Sequence, residues 1–161
     1  MELWETSRQR RAWRPYIESS VLLETRLDED LRASSGMSLL DFHLLLVLSE
    51  SESHRLRMGE LASRLVFSPS RLTYQIQVLE RRGWVLRQSA PDDRRGHHAV
   101  LTASGLVALR EADRHHIETV RRLFTDDLAK HELQVVADVF TRLRSRLHDT
   151  GRPGTGEEEP G

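Results

Sequence analysis

The sequence predicts a mainly α chain with a small β-hairpin and long helices at both ends. Three observations predict it. Apolar residues recur at helical spacing along most of the 161 residues. Ser68-Pro69 starts a helix that Gly83 ends. Two short β-prone runs follow at once, enclosing Pro91, Asp92, Asp93 and Gly96.

Taken in order, Thr6 to Leu31 reads as one long helix. Trp13, Ile17, Val21, Leu27 and Leu31 form its stripe, which Ala12, Tyr16, Leu22 and Leu23 widen. Pro15 marks either the true first turn or a kink. Ser34-Ser35-Gly36 ends the helix. Ser38 and Asp41 resemble a capping box, with Asp in place of Glu. They precede a mostly buried helix carrying Leu39, Phe42, Leu45, Leu46 and Val47 and ending near Glu50. Ser51 to Arg55 is expected as a loop. A short helix from Arg57 to Leu65 turns Met58, Leu61, Ala62 and Leu65 inward. The next helix, Pro69 to Arg82, buries Leu72, Ile76 and Leu79. Trp84 to Arg87 and His97 to Leu101 are expected as the two strands of a hairpin, with Gln88 to Gly96 as its loop. Thr102 caps a helix from Ala103 to about Phe124. A last helix runs from about His131 to His148, and the Gly-, Pro- and Glu-rich Asp149 to Gly161 is expected to be a disordered acidic tail.

Two short helices, a terminal Gly and a hairpin define a winged helix-turn-helix. The end helices are too long and too apolar to be satisfied by so small a central domain, which points to helical dimerisation arms. The expected division is 6–35 as an amino-terminal arm, 36–102 as the DNA-binding domain, 103–148 as carboxy-terminal arms and 149–161 as the tail.

Composition bounds the function classes. Hydrophobic residues make up 38% and charged residues 30%, which fits a folded, helical chain rather than a disordered one. No apolar run reaches membrane-helix length, and the amino end lacks a secretory signal, so a cytoplasmic protein without a membrane partner is expected. There are no cysteines, which excludes disulfides, thiolate metal sites and thiol redox sensing. Eight histidines, among them His97-His98 and His115-His116, show no diagnostic ligand spacing, so neither a metal nor another cofactor is expected. Phosphate loops, nucleophile elbows and paired carboxylates are likewise missing, which argues against an enzyme. Net charge is −1, yet His54 to His98 holds nine Arg or Lys against four Asp or Glu, while the first 53 residues hold six against ten. The positive charge is concentrated where a phosphate-contacting surface would be.

The Pro69 helix is the candidate recognition helix. Ser68, Ser70, Arg71, Thr73, Tyr74, Gln75 and Gln77 are its DNA-facing candidates. Arg and Gln can grip purine edges in pairs of hydrogen bonds, and hydroxyls can bond phosphate or base. Arg94 and Arg95 lie on the hairpin, where an Arg-bearing tip can enter the minor groove, and Asp93 is placed to brace Arg95.

These residues carry a resemblance. Asp93-Arg94-Arg95, followed after five residues by Leu101-Thr102 and then Gly105, resembles the Asp-x-Arg wing and Leu-Thr-x-x-Gly of the MarR family of regulators. Glu60-Leu61-Ala62 resembles the family's third helix, and Ser70, Leu72, Thr73, Leu79, Glu80 and Gly83 its recognition helix. Tyr74 and Gln75 depart from the pattern, where Arg and an apolar residue are frequent. The resemblance implies a homodimer on double-stranded palindromic DNA, with Arg95 in the minor groove and Arg94 on phosphate. It also implies a repressor released by a small phenolic or other anionic effector. Trp13, Arg14, Tyr16, Phe42, His43 and Leu46 are the effector-binding candidates, with Trp84 near them. Trp13 and Arg14 resemble the amino-terminal Trp and Arg of a urate-binding branch. Action through protein–protein contacts, or DNA binding without an effector, is the alternative.

Overall fold

The computed structural model describes the backbone of residues 8–90 and 93–150, and their side chains except 90, 93–95 and 148–150. Helix α1 (Arg8–Ser35) carries Pro15 in its interior, so the helix starts earlier than a proline-marked first turn. Helix α2 (Leu39–Ser49) follows. A 3-10 turn, Glu52–His54, leads into the strand β1 (Arg55–Arg57) and helix α3 (Met58–Leu65). Helix α4 (Pro69–Arg81), strands β2 (Val85–Ala90) and β3 (Asp93–Leu101), and helix α5 (Ala103–Val120) complete the central order. A π-helical turn, Arg121–Thr125, and helix α6 (Lys130–Thr150) follow.

Three expectations change. The hairpin is longer than expected, because Gln88–Ala90 and Asp93–Gly96 belong to strands rather than to the loop. Arg55 is not loop but the first residue of β1, which the sequence reading missed. The helix expected to run to about Phe124 stays α-helical only to Val120, and Arg121–Thr125 is π-wound. The expected tail lies almost wholly outside the described residues.

The sheet is antiparallel in the order β1-β3-β2, with Leu56 opposite Ala99 and Arg87 opposite Ala99 from the other side. The register slips between Ser89 and Ala90, where the hairpin leaves the body of the sheet.

The chain divides into two compact units, Met1–Leu123 and Phe124–Gly161. In the first, one core joins all elements: Leu31 of α1, Leu44 and Leu48 of α2, Leu61 of α3, Leu72, Ile76 and Leu79 of α4, Val85 of β2, Ala99 of β3 and Leu109 of α5. Each such leucine contributes about 2 kcal/mol by leaving water. Asp30 of α1 ties down α5: it accepts a hydrogen bond from Thr119 Oγ1 at 2.9 Å, and its carboxylate lies 3.0 Å from His115 Nε2. The outer face of α1 leaves Val21 and Leu22 exposed. In the second unit, the Ala129 N–H donates to Glu132 Oε2 at 2.8 Å, capping the start of α6. Val135 and Val139 of that helix are exposed. Among the described residues, no single helix is long and apolar enough to cross a membrane.

Candidate nucleic-acid interface

The start of α2, to which Gln75 of α4 bonds, is locked by local contacts. Ser38 Oγ accepts from the Asp41 N–H at 3.0 Å, and the Ser38 N–H donates to Asp41 Oδ2 at 3.2 Å, so the capping box is complete with Asp. Asp28 of α1 takes the Leu39 N–H at 2.8 Å and Arg32 Nε at 2.6 Å. Burial pushes the Asp28 carboxyl up, but the bonds from Arg32 and Leu39 and the Arg32 charge outweigh it and hold it below its usual value.

The turn from α3 to α4 holds Val66 at φ 55°, ψ 42°, a left-handed conformation unusual for a β-branched residue. It swings the chain so that Ser68 can cap α4, accepting from the Arg71 N–H at 3.3 Å, with Pro69 in the first turn. Ser68 and Ser70 hydroxyls sit 3.2 Å apart. The Arg71 guanidinium lies over the Phe67 ring, 4.5 Å from its centroid. Phe67 therefore positions Arg71, a role the sequence reading did not give it.

Along α4 the outward residues are Ser70, Arg71, Tyr74 and Gln77, with Tyr74 63% exposed. Thr73 is half-buried and donates its hydroxyl to Pro69 O at 2.8 Å, leaving its lone pairs available. Gln75 is a correction. It is only 9% exposed, and its Nε2 donates to Asp41 Oδ1 of α2, so it faces the core and not a ligand. The signal was present in the spacing: Leu72, Gln75, Ile76 and Leu79 share one helical face.

The carboxyl end of α4 is clamped to α5. Gly83, at φ 72°, turns the chain as only glycine does without strain. Its carbonyl accepts from Thr102 Oγ1 at 2.7 Å and Ser104 Oγ at 2.8 Å. The Thr102 N–H donates to Trp84 O at 3.0 Å, and Thr102 Oγ1 accepts from the Gly105 N–H at 3.0 Å. A Cβ on Gly105 would collide with the Trp84 carbonyl. Arg82 adds a bond to Gly36 O at 3.0 Å and covers the Trp84 ring at 4.8 Å.

The hairpin projects beside α4. Arg94 and Arg95 lie in the backbone of β3, as does Asp93, but their side chains, and with them the Asp93–Arg95 brace, fall outside the described residues.

The effector candidates fall into two groups. Trp13 and Tyr16 have ring centroids 5.7 Å apart on the exposed part of α1, and Arg14 pairs with Glu18 at 2.8 Å. Phe42 is buried against the His116 ring at 4.5 Å, Leu46 is half-buried on the same core, and His43 is exposed. Trp84 packs at the core's edge. Eighteen residues of helix, about 27 Å, separate Trp13 from Leu31, the α1 residue in the core with Phe42. One chain alone does not bring the two groups together. Burial pushes the His116 imidazole below its ordinary value, against the opposing charges of Asp113 and Asp30.

A capped helix in a helix-turn-helix, outward polar and basic residues on it and a hairpin beside it make up a winged-helix module of the DNA-reading class. Comparison with known proteins agrees. Residues 35–96 match the sequence profile of the MarR family. The transcriptional repressor MprA of Escherichia coli (strain K12) is 30% identical over 135 residues, 84% of this chain and 75% of that protein. The crystal structure of Sco3205, a MarR family transcriptional regulator from Streptomyces coelicolor, in complex with DNA, is 34% identical with a TM-score of 0.86, over 98% of this chain and 96% of that one. AbsC from the same organism, another MarR family regulator, is 37% identical with a TM-score of 0.85, over 91% and 99%. The chain belongs to the MarR family of transcriptional regulators.

Proposed function

We propose that the chain is a cytoplasmic, homodimeric repressor, without enzymatic activity, that binds a palindromic operator in duplex DNA and is released by a small anionic or phenolic effector. The observation that carries the DNA reading is the set of outward residues on α4, Ser70, Arg71, Tyr74 and Gln77, held beside a hairpin that bears Arg94 and Arg95. Arg71 and Gln77 read base edges, Ser68, Ser70 and Thr73 bond phosphate or base, and Arg95, braced by Asp93, enters the minor groove with Arg94 on the backbone. Sco3205, the similar regulator described in complex with DNA, supports this assignment.

Dimerisation is supported by the exposed apolar residues of α1 and α6, such as Val21, Leu22, Val135 and Val139. In this division 6–35 and 103–148 are arms and 36–102 reads DNA. Two such domains present recognition helices to half-sites about one turn apart. The effector candidates Trp13, Arg14 and Tyr16 on one arm, and Phe42, His43 and Leu46 near the DNA-binding domain, join in one site only where two chains meet.

Selection of bound fragments from genomic DNA, followed by titration of the full chain, tests the reading. Sequence-selective, salt-dependent binding by two chains per palindrome is expected. Equal affinity for every duplex overturns the regulator reading. A panel of aromatic carboxylates is expected to contain compounds that lower operator affinity.

A further inference from the structure

Between α4 and the hairpin lies a cleft of about 370 Å³, lined by Arg57, Met58, Gly59, Thr73, Arg87 and His97 among others. Except for Thr73, none of these residues has been given a role. The strand register explains why Arg87 and His97 meet. Residues directly paired across strands share a face, and so do residues two apart. Arg87 pairs with Ala99, and Leu56 pairs with Ala99 from the other side, so Val85, Arg87, Leu56, Ala99 and His97 share the face turned toward the helices. Val85 and Ala99 are fully buried there, whereas Arg87 is exposed. The helix-facing side of the sheet thus runs past the end of the core, and at that point it switches from apolar residues to Arg and His.

The described lining carries two arginines, Arg57 and Arg87, against one carboxylate. Among the described residues Glu60 is its one acidic lining residue, and Arg64 holds it at 2.7 Å. Glu80 Oε1 accepts the Arg87 backbone N–H at 2.9 Å, while Arg87 itself is exposed. The floor is the first turn of α3, where a Cβ on Gly59 would meet nothing within 4 Å. The cleft is open and cationic, and it sits between the two elements that would enter neighbouring DNA grooves. A sugar–phosphate strand has to pass between those grooves.

We propose that this cleft seats a backbone phosphate of duplex DNA, gripped by Arg87 with His97 beside it. The inference rests on the DNA-binding reading above and adds residues to it. The contact sets the distance between recognition helix and hairpin on the duplex and carries no base information. Arg87 can bond two phosphate oxygens at once, which suits a positioning contact.

The test is a titration of the full-length chain with a genome-selected operator and with a scrambled duplex, each over a series of salt concentrations. Arg87→Ala is expected to lose roughly tenfold in affinity on both duplexes alike. The slope of log affinity against log salt is expected to flatten by about 0.9, the counterion release of one phosphate contact. Arg87→Lys should keep most of the slope. Thermal melts verify that the variants stay folded. An unchanged slope in folded Arg87→Ala overturns the proposal, and so does a loss confined to the operator. If the unaltered chain binds neither duplex in a salt-dependent way, the DNA-binding reading itself fails, which is a different result from failure of the cleft alone.

Discussion

Gln75 on the recognition helix donates its side-chain amide to Asp41, the residue that completes the capping box of α2. Both side chains are buried. One carboxylate thereby orders the start of one helix and the rotation of another. The polar pair fixes which face of α4 turns outward.

Replacing Gln75 with Leu strands a buried carboxylate oxygen. We expect destabilisation of about 2 kcal/mol, read as a lower melting temperature, with operator preference retained. Unchanged stability with an altered preference would return Gln75 to the base-reading residues.

The Asp28 carboxyl is held below its ordinary value of 3.8, mainly by Arg32 and the Leu39 N–H against the opposing effect of burial. Its folded form therefore gives up its proton more readily than the unfolded chain. The stability it contributes is present above the unfolded value and is lost as pH falls through the folded one. Acid melts should show Asp28→Asn less stable than the parent at neutral pH, with the two curves converging below about pH 4. A constant gap down to strong acid would contradict this.

Gly105 and Gly59 make opposite predictions. Gly105→Ala drives a methyl into the Trp84 carbonyl and should cost about 3 kcal/mol or prevent folding. Gly59→Ala meets open space inside a helix and should add about 0.5 kcal/mol. Equal melting temperatures for the two variants would refute the close-approach account of Gly105.

Val66 is 79% exposed and strained at φ 55°. Val66→Gly removes the Cβ conflict, with a gain of about 1 kcal/mol expected from chemical denaturation. A loss of stability would mean that the left-handed turn is not strained.

Arg95→Ala should weaken operator binding while leaving the chain's assembly intact, as sedimentation can show. Phe67→Ala should act through Arg71, since it removes the ring under the guanidinium. Its affinity loss should therefore be small in an Arg71→Ala background; full additivity would disprove the coupling.

The elements that stood out in the sequence are those with local causes. Ser68-Pro69 and Gly83 bracket α4, and Thr102 caps α5, because capping needs only neighbours in the chain. What was missed depends on distant partners. Three residues, Arg55–Arg57, become a strand only because β3 lies alongside. Gln88–Ala90 pair with β3 despite a loop-like composition, since hairpin hydrogen bonds ask little of side chains. Gln75 looked like a ligand-facing amide because its acceptor, Asp41, is 34 residues away. Among the candidate contacts, the outward placing of Arg71 and Tyr74 was legible from helical spacing, while the proposed one of Arg87 was not, because its position depends on sheet register.

The bonds from Thr102 and Ser104 to Gly83 close the hairpin at its base. They make the wing a self-contained excursion whose ends are stapled together whatever lies between them. Chain length added at the tip is then cheap, since each doubling of a closed loop costs only about 0.6 kcal/mol. Evolution or a designer can exchange the tip for a longer or differently charged one, and the frame that aims the recognition helix does not have to be rebuilt.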